Sequence, residues 1–247
     1  MQVHASWQDL PTATGVMRTL VLTPQGKPAQ QFGALLFYSE IFQITGPIRR
    51  TATMLAGMGF IVLVPEIFHE LNPIGTVLAY DDAGKDKGNQ DKWSKPLTSY
   101  DSDNDAMYAY LQSRADFNGK VGAIGVCIGG HLAFRAALKP YVQSTVCLYA
   151  TDLHSDTLPA AGAAQTLAQA AAIQGEITLI WGRQDPHVSE PGRRQVQAAL
   201  EQAAVHYQWH EVNAPHAFMR DEGERFDPAL SLWVYNLCQQ QFLAALR

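Results

Sequence analysis

Cys127, Asp185 and His216 stand in that order along a chain of 247 residues, each just after a short apolar run. These three residue types can together carry out acyl transfer. A thiolate attacks a carbonyl, an imidazole moves the proton, and a carboxylate holds the imidazole in place. Cys127 lies in Gly125-Val126-Cys127-Ile128-Gly129, after the run "KVGAIGV" and before the pattern "IGGHLAFRAALK". A glycine-flanked nucleophile between a strand and a helix is the setting of a nucleophile elbow. At the helix N-terminus, unpaired N–H groups favour a thiolate, and the amide of Ile128 is one expected donor to an oxyanion. Asp185 follows "EITLIWG", and His216 follows "HYQWHEV" within "NAPHAFMR". Nucleophile, then acid, then histidine is one of the chain orders in which such a triad occurs. Among the eight histidines, His187 is the competing base. It shares a short loop with Asp185, which makes an orienting contact awkward, so His216 is preferred. Cys147, inside "STVCLYA", and Cys238, on the last helical pattern, read as core residues.

The elements that must position these groups follow from the apolar pattern. "RTLVLTP", "QFGALLFYS", "FIVLVP", "GKVGAIGV", "STVCLYA" and "EITLIWG" read as strands, with "HYQWHEV" a looser one. Between them, "PIRRTATMLAGMG", "DSDNDAMYAYLQSRADF", "IGGHLAFRAALK", "EPGRRQVQAALEQA" and the C-terminal "DPALSLWVYNLCQQQFLAALR" read as helices. Strands alternating with crossover-length helices predict an α/β protein with a mostly parallel central sheet and helices on both faces. Its site is expected at the carboxyl ends of the strands. His4 is expected in an N-terminal arm. The polar stretch 69–104 is read as a long loop, a cover over the site or a solvated insertion.

Bulk properties narrow the function. With 47% hydrophobic and 17% charged residues the chain suits one globular domain, 1–247. A net charge of −5 speaks against nucleic acid or an anionic membrane as partner. No apolar stretch approaches the roughly 18 residues of a membrane span, and the N-terminus lacks a signal-peptide pattern. Three widely spaced cysteines suit the cytoplasm, and no pair has metal-ligand spacing. The chemistry is expected to need no cofactor and no metal. The oligomeric state is not readable.

The segments "GVCIGGHLAF", "WGRQDPHV", "NAPHAFMR" and "SEIF" resemble the dienelactone hydrolase (carboxymethylenebutenolidase) family, of α/β-hydrolase fold. The likeness runs from about Phe32 to the C-terminus. It implies a Cys127–His216–Asp185 triad acting through a thioester on a small ester or lactone. It also implies that Glu40 pairs with the cysteine and helps hand off its proton, and that the amide of Ile41 is the second oxyanion donor. "LVPEIFHE" repeats the tripeptide at Glu66, but the family places its glutamate on the earlier strand, so Glu40 is chosen. Arg220, four residues after His216, stands where the family has an arginine that binds a substrate carboxylate. The family's second such arginine has no counterpart, since 86–103 contains none; Lys92 or Lys95 are the point charges there. A glutaminase, which also uses a cysteine elbow, would carry a carboxylate two residues after the histidine, where this chain has Phe218. A binding protein that kept the fold without turnover is the non-enzymatic alternative.

Overall fold

In the computed structural model, which describes residues 1–159 and 164–247, the apolar runs form one eight-stranded sheet. Its strands are β1 (Val3–Thr12), β2 (Gly15–Pro24), β3 (Phe32–Tyr38), β4 (Ile61–Pro65), β5 (Phe117–Val126), β6 (Val142–Leu148), β7 (Glu176–Gly182) and β8 (Tyr207–Val212). Their spatial order is β1-β2-β4-β3-β5-β6-β7-β8. From β4 to β8 every pairing is parallel, while β2 runs antiparallel to both β1 and β4. The central strands read as unbroken apolar runs because both faces are covered: β3 and β4 have no exposed residue.

The helices are α1 (Gly46–Gly57), α2 (Asp82–Ser94), α3 (Leu97–Gln112), α4 (Ile128–Ala137), α5 (Glu190–Gln202) and α6 (Pro228–Leu246). α1 and α6 bury Ile48, Leu55, Val234 and Phe242 against one face of the sheet. α3, α4 and α5 bury Met107, Leu132 and Val196 on the other. α4 buries all ten of its residues, so it is apolar all round rather than striped.

Two expectations need correction. His4 lies in a strand, not an arm: β1 pairs with β2 from Val3↔Pro24 to Thr12↔Gly15. As an edge strand it has one covered side and few apolar residues, so its pairing with β2, rather than its own composition, specifies it. The stretch 69–104 is not one long loop either. It contains α2 and the start of α3. α2 is rich in Asp and Lys and holds Gly84 and Gly88, so no apolar period marks it. Its signal is the cap, where Asp81 accepts the N–H of Gly84 at 2.8 Å.

Candidate active site

Cys127 sits between β5 and α4 with φ 60° and ψ −126°. A non-glycine residue at such a φ stores strain of about 1–3 kcal/mol unless its surroundings hold it. Here they do: its N–H donates to the Leu148 carbonyl at 3.1 Å, and its own carbonyl accepts from Gly130 and Thr151. The flanking glycines are a steric need. A Cβ on Gly125 would lie 1.8 Å from the Gly129 carbonyl oxygen, and one on Gly129 would lie 2.2 Å from that of Tyr38. The elbow therefore turns its side chain outward into a pocket of about 370 Å³. Within it the sulfur lies 4.0 Å from Thr151 Oγ1. By contrast, burial pushes the thiol of Cys238 up to about 12 and that of Cys147 higher still, so both stay protonated.

His216 reaches the same pocket from the loop after β8, and Asp185 ends the turn after β7. His216 Nδ1 lies 2.6 Å from Asp185 Oδ2. The other carboxylate oxygen accepts the main-chain N–H of His187 at 2.8 Å. Burial presses the imidazole towards its neutral form. The electrostatic influence of Cys127 and the hydrogen bond to Asp185 outweigh it and raise the pKa to about 9. Edge-on rings of Tyr149 and His187, at 5.0 and 4.7 Å between centroids, wall the imidazole in. The ring of His187 makes no contact with the acid, and burial and His216 hold it towards the neutral form.

Glu40 lies two residues past the end of β3, with both carboxylate oxygens engaged. Tyr80 donates to its Oε1 at 2.6 Å, and Arg220 pairs with its Oε2. The guanidinium lies 4.1 Å above the ring of Tyr80 and 5.2 Å from that of Phe42. Asp221 and Glu222 do not compete for it, because both pair with Arg50. Arg220 borders the pocket, and its buried Nε–H has no acceptor among the described residues. Glu66 plays a different part: it is buried and accepts the N–H of Gly75, closing a turn after β4. Ile41 lines the pocket, and α2 packs directly on its backbone; a Cβ on Gly88 would stand 2.7 Å from the Ile41 oxygen. Ile128 is the first residue of α4, where an N–H has no partner within the helix.

Neither lysine considered as a stand-in for the missing arginine is a free charge. Lys92 lines the pocket but is paired at 3.0 Å with Asp152. Lys95 is fully buried elsewhere, 2.9 Å from Glu70 and 2.6 Å from Asp103. His69, Glu70 and Asp103 converge as a possible cation-binding trio, but Lys95 already supplies a positive charge to both carboxylates.

Residues 17–241 match the model of the dienelactone hydrolase family. The chain belongs to that family. A Saccharomyces cerevisiae protein named "Putative carboxymethylenebutenolidase" is 38% identical over all of this chain and 94% of its own length. The carboxymethylenebutenolidase of Pseudomonas putida is 26% identical over 92% of this chain and 91% of its own. Among solved structures, a dienelactone hydrolase-like promiscuous phosphotriesterase from metagenomic libraries superposes with a TM-score of 0.80 at 19% identity, covering all of both chains. That likeness speaks to fold, and the fold of this hydrolase is the α/β-hydrolase one. Among its described helices none is long and apolar enough to cross a membrane.

Several residues in or beside the pocket leave no signal in the sequence. Tyr80, which holds Glu40, is one aromatic residue in a polar stretch, and Asp152 and Thr151 follow β6 without a motif. The sequence offers His187 as a competing base, whereas its ring packs edge-on against His216 as a wall.

Proposed function

We propose that this hydrolase cleaves small esters or lactones by way of a thioester on Cys127. The observation that supports the reading is that His216, with its Nδ1 2.6 Å from the Asp185 carboxylate, and Cys127 line one pocket. In the first half-reaction Cys127 passes its proton to His216 and its sulfur attacks the carbonyl carbon, and the carbonyl pair moves onto oxygen. The N–H groups of Ile41 and Ile128 receive that oxyanion. Collapse breaks the bond to the leaving oxygen, which takes its proton from His216. In the second, His216 removes a proton from water, the hydroxide attacks the thioester, and the acid leaves with Cys127 restored. Asp185 keeps the ring oriented and stabilises its cationic form throughout.

Arg220 is the substrate-binding group in this reading. It lines the pocket beside Cys127, and its Nε–H has no acceptor among the described residues. A carboxylate arriving there competes with Glu40 for the guanidinium, and a freed Glu40 can swing towards the thiol and help hand its proton on to His216. The three free cysteines suit a reducing compartment such as the cytoplasm. The test is mass spectrometry of the protein after rapid mixing with an activated ester. An acyl adduct on Cys127, absent from Cys127→Ala, is expected. Turnover without an adduct, or turnover in Cys127→Ala, would refute the reading.

A further inference from the structure

α2 lies along the pocket with one face. Lys85, Asn89 and Lys92, spaced by four and then three residues, all line it. Nothing apolar holds the helix there. Its buried residues are Gly84, Gly88, Asp91 and Lys92, and its one large apolar side chain, Trp93, is 45% exposed. Thirteen residues that include two glycines make a marginal helix in isolation. Its two ends are tied down. Tyr80, just before it, donates to Glu40, and Lys95, just after it, pairs with Glu70 and Asp103. Between them, Asp91 bonds Lys87 of the same helix and Asn72 of the segment leading into it. Lys92–Asp152 is different. Among the described residues it is the one ion pair of α2 that reaches beyond residues 69–95.

The acceptor of that pair belongs to the nucleophile's own wall. Asp152 follows Thr151, whose N–H donates to the Cys127 carbonyl. It is buried at φ 62°, a conformation that aspartate tolerates better than most residues. Lys92 Nζ lies 3.1 and 3.0 Å from its two oxygens, and Thr157 Oγ1 donates to one of them at 2.9 Å. Burial alone would raise the Asp152 carboxyl, but the charge of Lys92 and these hydrogen bonds hold it below its ordinary value, so the pair is ionic. We propose that Lys92 and Asp152 are positioning residues: their ion pair clasps α2 across the pocket, keeps Gly88 against the backbone of Ile41, and so sets the Ile41 amide that receives the oxyanion. This rests on the thioester reading above. The clasp joins the wall that carries the nucleophile to the wall that carries the second donor. With either partner removed, the other is a buried charge without compensation. Water must then reach it, and with no apolar anchor to resist, the middle of α2 lifts.

The experiment compares the parent with Lys92→Met, Asp152→Asn, the double variant and Lys92→Arg. Two readouts are taken: amide hydrogen exchange, and the kinetics of p-nitrophenyl acetate hydrolysis per acylated Cys127. Counting only sites that acylate removes unfolded protein from the rate. In Lys92→Met and in Asp152→Asn the amides of α2 should exchange roughly tenfold faster or more, while those of α4 stay as in the parent. kcat should fall about tenfold or more, short of the roughly 10²–10³ that deleting an oxyanion donor costs, and KM should change less. The two losses should not add in the double variant, because both break one pair. Lys92→Arg keeps the charge and should recover most of kcat. Unchanged α2 exchange in both single variants overturns the clasp. Faster exchange with kcat unchanged, or losses that add in full, overturns its role in positioning the donor while leaving Cys127 chemistry intact. Should the parent form no acyl adduct, the thioester reading fails, and the exchange of α2 alone then decides whether the pair clasps the helix.

Discussion

Cys127 is held at a positive φ by bonds to Leu148, Gly130 and Thr151, so its backbone does not depend on its side chain. Cys127→Ala should therefore abolish ester turnover while leaving the thermal midpoint within a few degrees of the parent, which calorimetry checks. The thiol also acts on its neighbour. Because the electrostatic influence of Cys127 helps raise His216 to about 9, the imidazole titration followed by NMR should fall below that value in Cys127→Ala. A midpoint unmoved by the substitution would assign the whole rise to Asp185. The raised value has a consequence for stability. A histidine charged more readily in the folded than the unfolded state stabilises fully below its unfolded value near 6.5. That contribution is lost as pH climbs through about 9. The stability advantage of the parent over His216→Gln, measured by urea unfolding, should shrink between these limits.

At the scale of elements, the site depends on backbones that approach closely. α4 meets β3 where Gly129 faces the Tyr38 carbonyl, and α2 meets the β3–α1 loop where Gly88 faces Ile41. Alanine at Gly129 has nowhere to go, because the obstructing atom is backbone in the middle of the sheet. It should cost at least 1–3 kcal/mol in denaturant unfolding. Alanine at Gly88 is different, since α2 lies at the periphery and can shift outward. Gly88→Ala should unfold at nearly the parent's denaturant midpoint but lower kcat roughly tenfold or more by moving the Ile41 amide. If kcat holds while KM rises, α2 shapes the pocket without setting the oxyanion donor.

Across the whole molecule, buried ion pairs tie the least regular segment to the rest. Lys95, fully buried at the end of α2, joins Glu70 after β4 to Asp103 on α3, while Thr14 of the β1–β2 hairpin donates to the same Glu70. Removing one partner of such a network leaves charges buried without compensation. Lys95→Ala is expected to lose about 3–5 kcal/mol of stability in equilibrium unfolding. A loss below 1 kcal/mol would mean that water enters and screens the two carboxylates.

The sequence by itself determined the sheet and the elbow. Both are written in short-range patterns: apolar runs such as "FIVLVP" have few ways to be buried, and glycines at 125 and 129 permit the only turn that Cys127 can occupy. Chain order then put Asp185 and His216 after parallel strands, hence at one edge of the sheet. Tertiary structure decided what each charged side chain does. Arg220 could have paired with Asp221 next to it, but Arg50, distant in the chain, takes that carboxylate and leaves Arg220 to Glu40. Lys92, Lys95 and Arg225 look alike in sequence, yet the first two are neutralised by Asp152 and by Glu70 with Asp103, and the third has no ion pair among the described residues. α2 and β1 were hidden for a related reason. Each is stabilised less by its own apolar period than by what packs on it, and an ion pair or an edge pairing is a property of two segments that no single stretch of sequence contains.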